Sequence, residues 1–124
     1  MEINLIYAKK RDKETQKAIC LLALKHKLYS PQGALYGTYK DIIEGDYQTK
    51  GMVLATYKNT PIGLITIAPS GYNIVWIYVA TKYRRNGVGK LLSDSLKASL
   101  KMRVIGHGAG TSAGKKFFKA LKLI

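Results

Sequence analysis

The chain has 124 residues, 47% of them hydrophobic, which suits one folded domain over 1–124 and excludes a disordered chain. No apolar run approaches the roughly 20 residues of a membrane-spanning helix, and Met1-Glu2-Ile3-Asn4 lacks the basic-then-apolar order of a secretory leader, so a cytoplasmic protein is expected. Lysine and arginine number 21 against 7 acids, a formal net charge of +14, which points to a polyanion such as nucleic acid, an acidic or nucleic-acid-associated protein, or simply a solvated surface.

In chain order, Ile3, Leu5 and Tyr7 alternate, so a strand is expected from Ile3 to Ala8. Asp12 suits a helix N-cap, and Glu14 to about Leu28 favours helix, with Ala18, Ile19, Leu22 and Ala23 as the face to bury and the basic end Lys25-His26-Lys27 suited to its C-terminus. Cys20 lies in the apolar run Ala18 to Leu24; as the single cysteine it forms no internal disulfide and reads as a core thiol. Ser30-Pro31-Gln32-Gly33 breaks the chain. Ala34 to Asp46, interrupted by Gly37, reads as a loop plus a short helix.

Met52 to Tyr57 and Ile62 to Ile67 form a hairpin around Lys58-Asn59-Thr60-Pro61, and Pro69-Ser70-Gly71 makes a second turn into another strand. Three strands joined by short turns imply an antiparallel meander. That third strand, Ile74 to Val79, opens the most informative stretch. After a short link come Arg84-Arg85-Asn86-Gly87-Val88-Gly89-Lys90, then a helix from Val88 to Lys101 with Leu91, Leu92, Leu96 and Leu100 at helical spacing.

Strand, basic glycine-rich turn and helix, in that order, suit an anion. The first turn of a helix has backbone N–H groups without intrahelical partners and carries the positive end of the helix dipole. Gly87 and Gly89 leave those amides uncovered, and Arg84, Arg85 and Lys90 add full charges, which suggests a phosphate or pyrophosphate cradle. The plain alternative is a helix that happens to start on glycine. The spacing excludes the nucleotide P-loop and the dinucleotide fingerprint, since neither pattern is present.

The run Arg/Gln-x-x-Gly-x-Gly, within Tyr78-Val79-Ala80-Thr81-Lys82-Tyr83-Arg84-Arg85-Asn86-Gly87-Val88-Gly89-Lys90-Leu91-Leu92, resembles the acyl-CoA pyrophosphate loop of the GNAT superfamily of N-acetyltransferases. Thr81 stands where that family often has proline. The resemblance implies an α/β (α+β mixed) fold: a mixed sheet with an antiparallel meander, splayed fourth and fifth strands, flanking helices and, with the chain stopping at Ile124, a truncated C-terminus without the family's last two strands. It implies acetyl-CoA as acyl donor, bound by Arg84, Arg85, Asn86, Gly87, Val88, Gly89 and Lys90 at the diphosphate. Ile77, Tyr78 and Val79 would offer backbone groups to the pantetheine arm. A short sheet edge also implies a homodimer that covers it.

A fifth strand is expected at Arg103-Val104-Ile105-Gly106, reached by a parallel, right-handed crossover. Beyond it Thr111 or Ser112 suits the N-cap of a helix from Ala113 to Leu121 with Phe117, Phe118 and Leu121 on its buried side. In many members of the family a tyrosine at the position of Phe118 protonates the departing thiolate; Phe118 has no proton to give.

No Asp or Glu lies between Asp46 and Asp94, and Asp94 reads as an i,i+4 partner of Lys90 and not as a base. The catalytic candidates are therefore His107, whose imidazole titrates near neutrality, and Ser112, which could donate to the leaving sulfur in place of the missing tyrosine. A bound water, Tyr36, Tyr39 or Tyr72 are the other relays. Tyr36, Tyr39, Asp41, Glu44 and Asp46 either wall the acceptor site, as the resemblance implies, or are two packed tyrosines and a solvated acidic face. One cysteine and two distant histidines make no metal site. Two functions stand side by side: acetyl-CoA-dependent transfer to a primary amine of an unidentified acceptor, or a basic nucleic-acid- or protein-binding module on the same fold with little or no transfer.

Overall fold

A computed structural model describes residues 2–45, 47–67, 74–100 and 106–107. Its elements run β1 (Ile3–Lys9), α1 (Lys13–Lys25), α2 (Leu35–Glu44), β2 (Gly51–Tyr57), β3 (Thr60–Ile67), β4 (Ile74–Val79), a short 3-10 turn (Thr81–Tyr83), α3 (Val88–Leu100) and β5 (Gly106–His107). The sheet is ordered β1-β2-β3-β4-β5; its first four strands are antiparallel and β5 pairs parallel to β4. The expected turn at Pro69-Ser70-Gly71, Tyr72, Asp46, the first residues of the expected fifth strand, Ser112, and the helix carrying Phe117 and Phe118 lie outside the described residues.

The sheet is covered on both faces. Met52, Leu54, Leu64, Trp76 and Tyr78 pack with Ile19, Cys20, Ala23, Leu35, Tyr39 and Ile42 of α1 and α2. Their alternates Val53, Ala55, Ile65, Ile67, Val75, Ile77 and Val79 pack with Val88, Leu92 and Leu96 of α3. Burial on both faces is why β2 and β3 read as continuous apolar runs and not as alternating ones.

Asp12 caps α1, accepting the Thr15 N–H at 3.2 Å. The buried stripe of α1 is Gln16, Ile19, Cys20 and Ala23, while Ala18 and Leu22 face outward. The stripe keeps the i, i+3, i+4, i+7 spacing of a helix face, but it begins on a polar residue, so apolar patterning placed the face one residue too far round. The helix also stops before Leu28. Lys27 turns left-handed (φ 54°) and the Leu28 N–H bonds back to the Ala23 carbonyl at 2.8 Å, folding Leu28 into the core. Such an end trades the strain of one left-handed residue for a satisfied carbonyl and a buried leucine.

Gln16 explains its own burial. Its amide nitrogen donates to the Lys9 carbonyl (2.8 Å) and the Thr49 carbonyl (3.1 Å), and its oxygen accepts the Thr49 N–H (3.1 Å). Beside it the Thr49 and Thr66 hydroxyls lie 2.8 Å apart, at 3.2 and 2.8 Å from the Gly51 carbonyl. One side chain thus ties the end of β1, α1 and the entry to β2 together.

α2 is regular through Gly37, where an added Cβ would meet nothing, and buries Leu35, Thr38, Tyr39 and Ile42. The hairpin turn is the two residues Lys58 and Asn59, both left-handed (φ 48° and 64°), as a primed turn requires. Thr60 and Pro61 accordingly belong to β3. Pro61 has no N–H to donate, and the ladder shifts register at Ala55/Thr56 where Pro61 pairs.

Burial pushes the Cys20 thiol from 9.0 up to about 12. The unfolded thiol then ionises before the folded one, so the folded state holds the extra proton between those values. Stability should fall with rising pH there by about 1.4 kcal/mol per unit for this group, read by urea titrations from pH 8.5 to 11. A Cys20→Ala variant should flatten that slope.

Candidate functional site

β4 ends where one bond back to β3 and two short-range bonds turn the chain. The Ala80 N–H donates to the Ile62 carbonyl (2.8 Å), Tyr83 to Ala80 (2.8 Å) and Arg84 to Thr81 (3.3 Å). Arg85 and Gly87 are left-handed (φ 67° and 78°), and the Leu91 N–H bonds to the Gly87 carbonyl at 3.0 Å, the first bond of α3. Only there does the helix begin to use its own donors.

The N–H groups of Val88, Gly89 and Lys90 therefore have no acceptor among the described residues. A turn of this hand brings successive amides to one side and forms an anion-holding concavity. A Cβ built on Gly87 meets nothing within 4 Å. Val88 itself is buried with Leu92 and Leu96, anchoring the helix start to the sheet, so what it can offer a ligand is its N–H. Arg84, Arg85, Asn86 and Lys90 are exposed around it. Lys90 pairs with Asp94 at 3.1 Å, as the i,i+4 spacing implies.

Gly63 on β3 lets α3 approach this closely. A Cβ there would stand 3.2 Å from Leu92 Cδ1 and Val88 Cγ1, and 3.3 Å from the Tyr78 carbonyl. Gly63→Val should cost about 1–3 kcal/mol by overpacking, seen as a lower denaturant midpoint, and should tilt the start of α3.

The second part of the site is the far edge of β4. Because Ala80 donates to Ile62, its N–H points toward β3, and the backbone groups of successive residues point alternately toward and away from the neighbouring strand along an antiparallel ladder. With Tyr78 opposite Leu64 and Val79 opposite Gly63, Trp76 and Tyr78 turn their backbone groups toward β3, whereas Val75, Ile77 and Val79 turn theirs away. β5 takes up only Ile74 and Val75, opposite Gly106 and His107. From Trp76 to Val79 no described strand covers that edge. Of the three residues expected to offer backbone groups, Ile77 and Val79 face the opening, and Tyr78 is committed to the sheet.

Arg84 bridges the two parts. Its Nε donates to the Val79 carbonyl at 2.9 Å, and its guanidinium carbon lies 5.3 Å from the centroid of the Tyr78 ring. Nothing in the sequence marks that i,i−5 bond. Gly63 was also missed, although a glycine inside an apolar strand is a signal of close backbone approach that could have found it.

The relay candidates fare unequally. Tyr39 is fully buried, donates to the Leu28 carbonyl at 2.7 Å, and is held well above the ordinary phenol range, first by burial and then by Cys20 and Tyr78 nearby. A phenol so placed packs α2 against α1 and reaches no solvent. Tyr36 is 46% exposed and lies 5.1 Å from the Tyr29 ring. Asp41 is exposed, and Glu44 pairs with Lys40 at 2.8 Å. His107 is the second residue of β5, in register with Val75. Among the described residues no three His, Cys, Asp or Glu side chains cluster as metal ligands.

A mixed sheet with helices packed on both faces and a strand–turn–helix unit leading from β4 into α3 is the class of fold these residues define. Residues 26–112 match the family model described as an acetyltransferase (GNAT) domain, well over half of the chain, and the protein belongs to that family. Solved structures agree in fold. A GNAT family acetyltransferase from Streptococcus pneumoniae superposes with a TM-score of 0.60 at 15% identity, covering 98% of this chain and 86% of that one. A ribosomal-protein-alanine N-acetyltransferase from Brucella melitensis gives 0.58 at 17%, with 97% and 91% covered. The enzyme AAC(6')-Iy, in complex with a bisubstrate analogue of CoA and acetylneamine, gives 0.59 at 16%, with 98% and 90% covered. No curated protein sequence matches this chain.

Proposed function

We propose that this chain is an N-acetyltransferase that takes an acetyl group from acetyl-CoA and passes it directly to a primary amine. The observation that carries the reading is the run of Val88, Gly89 and Lys90 amides, without acceptors among the described residues, lying next to the edge of β4 that no described strand covers. The residues fit the donor. Arg85, Lys90 and the α3 amides would hold its diphosphate, and the outward N–H and C=O of Ile77 with the N–H of Val79 match the amides of its pantetheine arm. An N–H from that edge would also stabilise the thioester oxygen as charge develops on it. The donor supplies the activated acyl carbon and a thiolate leaving group.

Amine attack requires a proton to leave the nitrogen and, later, a hydrogen bond to the departing sulfur. We assign the first role to His107, carried by β5 beside the opening, and the second to Ser112. His107→Ala should then lower kcat and remove the limb of the pH profile near neutrality, with little change in acetyl-CoA affinity. The acceptor is sought by incubating the protein with labelled acetyl-CoA and cell extract and identifying by mass spectrometry whatever gains the label. The reading fails if calorimetry finds no acetyl-CoA binding.

A second reading draws on charge. Lys9, Lys10, Arg11, Lys13 and Lys17 are all exposed at the β1–α1 corner, away from the turn, and the net charge of +14 exceeds what one diphosphate needs. On this reading the acceptor is anionic or nucleic-acid-associated, or the chain binds nucleic acid in its own right. Filter binding to DNA and RNA decides it, since phosphate contacts make log K fall linearly with log salt.

A further inference from the structure

Arg84 sits in the anion turn, yet its side chain reaches the other way, back to β4. Its Nε is on the Val79 carbonyl at 2.9 Å and its guanidinium lies over the Tyr78 ring at 5.3 Å. The Val79 carbonyl belongs to the peptide unit whose other end, the Ala80 N–H, donates to Ile62 at 2.8 Å. This one peptide is therefore fixed on both sides, by β3 and by Arg84, and it joins the open edge of β4 to the turn that leads into α3.

We propose that Arg84 is a positioning residue for acyl transfer: it clamps the Val79–Ala80 peptide and so sets where the pantetheine arm lies relative to the diphosphate, and it is not the principal diphosphate ligand. The inference rests on the acetyl-CoA reading above and assigns a division of labour within that site. Arg85, Lys90 and the α3 amides hold the anion. Arg84 holds the strand end, and by occupying the Val79 carbonyl it leaves that residue only an N–H to offer the acyl arm.

The guanidinium suits this task for a reason lysine does not share. Its planar fork can hydrogen-bond through Nε while the flat face rests on a ring, which fixes the group in two directions at once. An ammonium keeps the charge and loses that geometry. Charge-preserving replacement therefore separates positioning from anion attraction.

The test uses two probes, acetyl-CoA and adenosine 3′-phosphate 5′-diphosphate, which keeps the diphosphate and lacks the pantetheine arm. Calorimetry on Arg84→Lys should show acetyl-CoA affinity lowered about tenfold and affinity for the nucleotide unchanged within about twofold. Tyr78→Leu, which removes the ring and keeps Arg84, should shift the same ratio in the same direction by about threefold. Equal losses for both probes would overturn the positioning role and make Arg84 a diphosphate ligand. Wild-type protein that binds neither probe would overturn the coenzyme reading itself, and the clamp with it.

Discussion

Acetyl-CoA affinity falls by at least about 100-fold when Arg85 and Lys90 are both replaced by glutamate, while the melting temperature stays within a few degrees of the parent. Both side chains are exposed and make no contact with the core, and the pair that Lys90 forms with Asp94 is a surface i,i+4 bridge, worth little to stability. At the turn each reversal removes a cation and installs a like charge against the diphosphate. A charge-assisted hydrogen bond contributes about 1.5–3 kcal/mol, so loss of two with added repulsion exceeds the 2.7 kcal/mol of a hundredfold change. Calorimetry and thermal melts read the two quantities separately. A double variant that still binds within tenfold of the parent places the diphosphate elsewhere.

Gln16→Leu loses about 3 kcal/mol of folding stability, although it puts an apolar side chain into an apolar layer. The leucine would fill the space and strand two buried backbone groups that Gln16 satisfies, the Thr49 carbonyl and the Thr49 N–H, while the Lys9 carbonyl would keep the Asp12 N–H at 3.1 Å. Each buried group left without a partner costs about 1–3 kcal/mol, more than the gain from burying a leucine in place of a bonded amide. For a domain whose whole stability is about 5–15 kcal/mol, that is a large share. Urea denaturation with an unchanged m-value checks it, and a loss under about 1 kcal/mol would mean the two Thr49 groups find water instead.

Those residues also mark what could and could not be read from the chain. The strand–turn–helix unit was legible because its signals are local: β-branched residues through Val79, two glycines, three cations, then leucines at helical spacing. The meander was legible for the same reason, with Asn59 and Pro61 punctuating two apolar runs. The α1 face was misjudged because the residue that opens its buried stripe is Gln16, and a glutamine is buried only when partners distant in sequence, here Thr49, come to meet it. The end of α1 moved inward because Leu28 found a place in the core that helical continuation would have denied it.

The candidate site divides in the same way. The turn's suitability for an anion follows from residue types in a row. Which backbone groups of β4 face the opening depends on the parity of the ladder with β3, fixed by a single bond from Ala80 to Ile62. Parity narrows the strand's contribution to Ile77 and Val79, and no pattern within β4 announces it. Arg84's bond to Val79 is likewise a fact of the folded turn.

The central claim is that an acyl-CoA diphosphate rests on the amides that open α3 and its arm runs along the far edge of β4. The most direct test is a titration of unlabelled acetyl-CoA into 15N-labelled protein, followed residue by residue. The account predicts saturable shifts largest at the N–H groups of Val88, Gly89 and Lys90, extending to Ile77 and Val79, with Trp76 and Tyr78 less affected. Saturable shifts centred instead on the β1–α1 corner, or none at all, would contradict it.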